Sequence, residues 1–180
     1  MHRLLLAPLA ALGVSLILSS CATAPAPTEQ GLAPVSCELP AVIEAFNQRL
    51  DGAAFIPTEW QPAEGTDLYE VYEAGGIACT YGIESAEIGG TVMWAPASDD
   101  FWLEKSTQWK AAGYVAVDIP EVDEHEALVL ESTAADGQAV WFINFHIGGV
   151  WVQFGASKFI ASLDDALEIV QAATLVTKSN

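Results

Sequence analysis

The segment WFINFHIGGVWVQF, residues 141–154, decides the fold of this 180-residue chain. Two runs of aromatic and β-branched residues flank Gly148-Gly149, and a glycine pair between such runs is typical of a tight β-hairpin. Counting outward from the turn pairs Ile147 with Val150 and Ile143 with Phe154. Since side chains alternate along a strand, one face of this hairpin is wholly apolar and is predicted to be core. The residues of that face are Ile143, Phe145, Ile147, Val150, Val152 and Phe154.

The opposite face of the hairpin mixes aromatic and polar side chains. It carries Phe142, Asn144, His146, Trp151 and Gln153. Aromatic rings beside hydrogen-bonding groups suit contact with a ligand or a partner. We therefore predict that these five residues form a binding face. A solvated sheet face, or one that a helix half covers, is the alternative interpretation.

The segments around the hairpin predict an α+β domain. Strands cluster in short hairpins instead of alternating singly with helices, which favours a mostly antiparallel sheet with helices packed on it. Ala53–Asp67 is predicted to be a loop because it contains three helix-breaking residues. The other predicted strands are Leu68–Tyr72, Gly76–Ile83, Ile88–Ala95, Tyr114–Asp118 and Ala127–Thr133, and the predicted helices are Leu39–Leu50, Asp99–Ala112 and a final one after Ser162.

The N-terminal residues have the pattern of a bacterial lipoprotein signal peptide. A basic start precedes the apolar run Leu4–Leu18, which is short for a membrane span and lacks a charged flank after it. Leu18-Ser19-Ser20-Cys21 resembles a lipobox, in which small residues precede a cysteine whose thiol receives a diacylglyceryl group. Residues 1–20 are thus the predicted signal peptide, and Cys21 is the predicted lipidation site. Two acyl chains suffice for stable anchoring in a membrane.

Proline, alanine and threonine dominate residues 21–36, which are predicted to form a disordered tether. Fully extended, a 15-residue tether at about 3.1 Å per residue would reach about 45 Å from the bilayer. The folded domain is predicted to occupy residues 37–180. The expected location is the extracytoplasmic face of the cell membrane.

The charge of the chain excludes some partners. It has 24 acidic and 6 basic residues, for a net charge of −18. Such a surface repels phosphate backbones, so nucleic acid is not an expected partner. The charge either serves solubility alone or attracts cations or a basic partner.

Two cysteines remain in the predicted domain, Cys37 and Cys79. An exported protein meets oxidising conditions, so an even pair indicates a structural disulfide. Two free thiols, a redox pair and a zinc site are the alternatives, although no C-x-x-C motif is present.

Residues with catalytic potential are few. His125 and His146 are the histidines after the leader, and no nucleophile, phosphate-loop, zinc or dinucleotide motif occurs. The acidic run around His125, residues 121–126, lacks the spacing of a calcium loop and is interpreted as a solvated loop, with weak cation binding as the alternative. No catalytic residue, metal ligand or cofactor is predicted, and the protein is not expected to be an enzyme.

The run Gly75-Gly76-Ile77-Ala78-Cys79-Thr80-Tyr81-Gly82 resembles a motif, G-G-x-x-C-x-[W/Y]-G, of a group of small actinobacterial lipoproteins. Those proteins also share a lipobox, a Pro/Ala tether, a helix ending like Ala111-Ala112-Gly113-Tyr114 and a late Trp-rich hairpin. The resemblance implies an extracytoplasmic location and a Cys37–Cys79 bridge, but no activity. More distantly, the chain is similar to actinobacterial lipoproteins with a PsbP-like α/β/α sandwich, some of which bind lipids or proteins.

Three functions follow from these observations. The leading hypothesis is a non-enzymatic binding or accessory module that uses the hairpin face. The second is a carrier for a small apolar or lipid ligand, held between sheet and helix near Trp94, Trp102 and Trp109. The third is a hydrolase, which would need a histidine paired with a nucleophile.

The anchor is the first testable prediction. Protein extracted from its native membrane should begin at Cys21 and carry a diacylglyceryl group on that residue, as measured by mass spectrometry of the intact chain. A mature chain with an unmodified Cys21 would contradict the prediction.

Overall fold

The computed structural model describes residues 31–119 and 126–178. Seven strands form one sheet in the order β1-β2-β3-β7-β6-β5-β4, and every neighbouring pair is antiparallel. Helices pack on this sheet, so the predicted α+β class is confirmed. In chain order the elements are α1 Pro40–Arg49, β1 Ala54–Ile56, α2 Asp67–Glu73, β2 Ile77–Ile83, β3 Ile88–Pro96, α3 Asp99–Ala111, β4 Val115–Val117, β5 Ala127–Thr133, β6 Ala139–Ile147, β7 Val150–Ser157 and α4 Leu163–Lys178.

The hairpin of β6 and β7, joined by Gly148-Gly149, lies at the centre of the sheet. Ile147 pairs with Val150 and Ile143 with Phe154, which confirms the predicted register. Both turn glycines have positive φ angles, 57° at Gly148 and 79° at Gly149, which the favoured two-residue hairpin turn requires. All six residues of the predicted core face are buried.

Helices α1 and α4 cover that first face of the sheet. Val42 and Phe46 from α1, and Ile169 and Val170 from α4, are fully buried against it. The indole of Trp94 in β3 donates a hydrogen bond to the carbonyl of Ala173, at 3.1 Å, so this large side chain is anchored in the first core.

Helices α2 and α3 lie on the second face, where they build a smaller core. Trp102 and Trp109 of α3 pack with Trp151 of β7, and Val71 of α2 joins them. The rings of Trp109 and Trp151 are 5.4 Å apart. Trp102, Ser106 and Trp109 share one face of α3, and all three are buried.

Helix α2 corrects the prediction of a strand over Leu68–Tyr72. Thr66 caps the helix, since its side-chain oxygen accepts a hydrogen bond from the backbone N–H of Tyr69 at 3.2 Å. Two acidic residues in the first turn favour the same end, and Gly75 follows the helix with φ of 76°. The segment has too few apolar residues over its seven positions to distinguish a helical repeat from the alternation of a strand. The Thr66 cap is the feature that favours the helix.

The disulfide between Cys37 and Cys79 is present, with the two Cα atoms 5.4 Å apart. It joins the segment before α1 to strand β2. The chain contacts the domain even earlier than the predicted boundary at residue 37. The N–H of Gly31 donates to the carbonyl of Gly148 at 2.7 Å, and Pro34 is buried, so residues 31–36 belong to the folded part. The predicted signal peptide and the start of the tether lie outside the described residues.

Removal of the disulfide should destabilise the domain by about 4 kcal/mol, because a closed loop of this length restricts the unfolded chain. The two cysteines are 42 residues apart in sequence. Urea unfolding of the Cys37→Ala, Cys79→Ala double variant, followed by tryptophan fluorescence, measures the change. A loss below about 1 kcal/mol would show that the bridge contributes little.

Candidate functional site

The predicted binding face lies on the second side of the sheet, but helix α3 covers most of it. Asn144 and His146 are 0% and 1% exposed, Trp151 is 1% exposed, and Gln153 is also buried. The expectation that these four side chains form an exposed contact surface is therefore wrong. The alternative of a face that a helix half covers describes the structure. Phe142 alone is partly exposed.

A network of polar side chains fills the space beneath α3, and Asp67 is at its centre. One carboxylate oxygen lies 2.8 Å from Lys105 Nζ. The other accepts hydrogen bonds from Gln153 Nε2 at 2.7 Å and from Trp109 Nε1 at 3.2 Å. Gln153 Nε2 also donates to Asn144 Oδ1 at 2.9 Å, as does the indole of Trp151 at the same distance. The network thus joins α2, α3 and the central hairpin.

Lys105 is the cation of this network, and its side chain is only 9% exposed. A second carboxylate, that of Glu70, lies 2.7 Å from its ammonium. The ammonium also sits 5.2 Å from the ring centre of Trp109 and 5.8 Å from that of Trp151. Burial by itself would lower the pKa of Lys105, but hydrogen bonds and charge from the two carboxylates outweigh it and raise that pKa. Lys105 therefore stays charged in the folded domain.

Tyr114 borders the same network. Burial raises the pKa of its hydroxyl to about 12, and the negative charge of Asp67 acts in the same direction. A hydrogen bond with the side chain of Asn144 opposes part of that rise. The hydroxyl of Tyr114 is therefore neutral at neutral pH.

His146 is held by packing and by the backbone. Its Nε2 lies 3.0 Å from the carbonyl oxygen of Ala97, which can only accept, so this nitrogen carries a proton. Its ring stacks on Trp102, with centroids 5.6 Å apart. Its Nδ1 lies 3.7 Å from a carboxylate oxygen of Asp99. His146 thus packs between the sheet and helix α3. The other candidate histidine, His125, lies outside the described residues.

An open groove occupies the half of the second face that α3 leaves uncovered. Its volume is about 570 Å³, within the range of small-molecule sites. The floor consists of second-face residues from four neighbouring strands, which are Thr80, Thr91, Met93, Val140, Phe142, Gln153 and Gly155.

Gly155 gives the floor its shape. It pairs with Phe142 on one side and with Thr91 on the other. A Cβ atom at this position would come within 3.3 Å of two ring atoms of Phe142. The absence of a side chain thus lets the phenyl ring lie against the strand and keeps the groove open above it.

The walls of the groove come from both ends of the sheet. Trp60 and Leu68 stand on the α2 side, and Trp60 is fixed by a hydrogen bond from its indole N–H to the carbonyl of Ala78 at 3.1 Å. Ile83 and Ile88 flank the β2–β3 turn on the other side. These wall residues were not predicted from the sequence; the alternation of Thr80 and Thr91 with apolar neighbours was the one available signal.

The three tryptophans of the carrier hypothesis do not share one site. Trp94 lies in the core under α1 and α4, whereas Trp102 and Trp109 lie on the opposite face of the sheet. The prediction of one ligand site beside all three tryptophans is therefore wrong. It fails because Trp94 faces the first side of β3, while its neighbours Met93 and Ala95 face α3.

Within the described ranges, no group of three or more His, Cys, Asp or Glu side chains is arranged to hold a metal ion. Nor do residues 31–119 and 126–178 include a helix of the length and apolar character that crossing a membrane requires. No protein-family model matches the chain, and neither does any curated protein.

Replacing Lys105 by Met should destabilise the domain by about 2–3 kcal/mol, since it leaves two partly buried carboxylates facing each other without their cation. Lys110→Met is the matched control on the same helix. Its side chain is 52% exposed and its ion-pair partner among the described residues, Glu126, is 4.0 Å away, so a change below about 0.5 kcal/mol is expected. Equal losses in the two variants, measured by urea unfolding, would argue against the network.

Proposed function

We propose that this chain is a membrane-anchored extracytoplasmic lipoprotein that binds a small, mostly apolar ligand in its open groove and catalyses no reaction. The observation that carries the proposal is the groove itself, with a mostly apolar lining and a floor across four strands. The proposed ligand surface is therefore the half of the second sheet face that α3 leaves uncovered.

The contrast between the covered and uncovered halves of the second face favours ligand binding in the groove over a purely structural role. Where the sheet face is covered, a charged network and three tryptophans close the space between helix and sheet. Where it is uncovered, Gln153 is the floor residue that belongs to this network, whereas Thr91, Met93, Phe142 and Gly155 take no part in it. An exposed concave apolar surface on a highly acidic domain is typical of a binding site.

The position of the N-terminal segment also suits an anchored binding protein. Gly31 lies beside the β6–β7 turn, while the β2–β3 turn that flanks the groove lies at the other end of the sheet. Eight residues of β7 separate these ends, which is about 27 Å at about 3.4 Å per residue. A chain anchored through a lipid on Cys21 would thus join the domain at the end of the sheet opposite the β2–β3 turn.

The burial of His146 supports a role without catalysis. A general base must reach its substrate, but this ring is 1% exposed and is engaged by Trp102 and the Ala97 carbonyl. Binding of a large protein partner through the hairpin face is less well supported, because four of its five residues are buried.

Thr91→Trp tests the groove, since it places an indole on the floor beside Gly155. Binding of the neutral apolar dye Nile red, followed by fluorescence titration, should weaken at least about tenfold, because the new side chain takes up apolar area that the dye would bury. Thr133→Trp is the matched control, because it makes the same change at an exposed strand position outside the groove.

Equal dye binding by wild type and Thr91→Trp would contradict the proposed site, as would an equal loss in the control variant. Native mass spectrometry of protein purified from its own membrane adds a second readout. A co-purifying small molecule that is lost from Thr91→Trp but kept by Thr133→Trp is the expected result.

A further inference from the structure

We infer that the groove selects ligands that combine an apolar body with a positive charge, such as an aliphatic ammonium compound. This inference rests on the proposed function and adds the charge of the ligand to it. It comes from the charged residues that line the groove together with the apolar floor.

Acidic side chains outnumber basic ones around the groove. Glu84, Glu87 and Asp136 line it, and the only basic residue among its lining is Lys158. All three carboxylate residues are exposed, and no described residue forms an ion pair with any of them. The charges that line the groove therefore favour a cation over an anion.

Three other basic side chains lie away from the groove lining. Arg49 is engaged by Asp165 at 2.9 Å, and Lys105 is enclosed by Asp67 and Glu70 beneath α3. Lys110 lies on α3 outside the groove lining. The net charge of −18 adds a long-range field of the same sign.

Two aromatic residues favour the same ligand class. Phe142 on the floor and Trp60 in the wall both line the groove, and both are partly exposed. The faces of aromatic rings attract ammonium groups, most strongly where water is partly excluded. An apolar body would thus lie against the floor and Trp60, while an ammonium group faces Glu84, Glu87 and Asp136 at the end of the groove formed by the β2–β3 and β5–β6 turns.

The test compares three probes of equal chain length: dodecylamine, 1-dodecanol and laurate, each below the concentration at which it aggregates. Displacement of bound Nile red from the wild-type domain at low salt should follow the order amine, alcohol, laurate, with at least about tenfold between amine and laurate. The preference should shrink as sodium chloride rises, because exposed charges are screened within about 10 Å at 0.1 M salt.

Two triple variants separate the local charges from the overall field. Glu84→Gln, Glu87→Gln, Asp136→Asn removes the three groove carboxylates and should reduce the amine preference to about threefold or less while leaving dodecanol binding unchanged. Glu44→Gln, Glu104→Gln, Asp118→Asn removes three exposed carboxylates that do not line the groove. It should retain the preference.

The outcomes distinguish this inference from the proposed function. If the wild type binds all three probes equally, or laurate best, the inferred charge selectivity is wrong while the groove remains a binding site. If both triple variants lose the preference alike, the overall field and not the groove is responsible, which also overturns the inference. If no probe and no Nile red binds, the proposed function itself fails.

Discussion

The carboxylate of Asp67 is the contact on which the second face of the sheet depends. It binds Lys105 of α3 with one oxygen and Gln153 of the central hairpin with the other. A helix of seven residues is too short to be stable alone, so α2 needs these tertiary contacts. The same carboxylate thus holds α2 beside α3 and fixes both against the sheet.

The placement of α2 has a direct consequence for the groove. Leu68, the residue after Asp67, forms part of the groove wall, and Trp60 stands beside it. The ion pair that closes one half of the face therefore also positions the boundary of the open half. A buried charged pair contributes little net stability compared with apolar packing, but it specifies one arrangement of the elements around it. Here that arrangement separates a filled core from an open site.

The two faces of the sheet differ in the side chains that their helices bury. The first face is covered by two amphipathic helices and tied to the N-terminal segment by the disulfide. The second face carries polar side chains that must find partners once they are buried, and Asp67 and Lys105 provide them. Small and flat floor residues, Gly155 above all, leave the remaining part of that face concave.

The even number of cysteines in a chain expected to be exported predicted the disulfide pair. Local patterns in the sequence determined the fold class, the central hairpin with its register and the long helices. They did so because strand alternation, glycine turns and helix caps act between residues close in the chain. Only the tertiary structure decided which part of the hairpin's second face is covered. Asn144 and Gln153 looked exposed because their burial depends on Asp67 and Lys105, which lie far away in sequence. The groove escaped sequence reasoning for the same reason: it is the space that distant elements leave open.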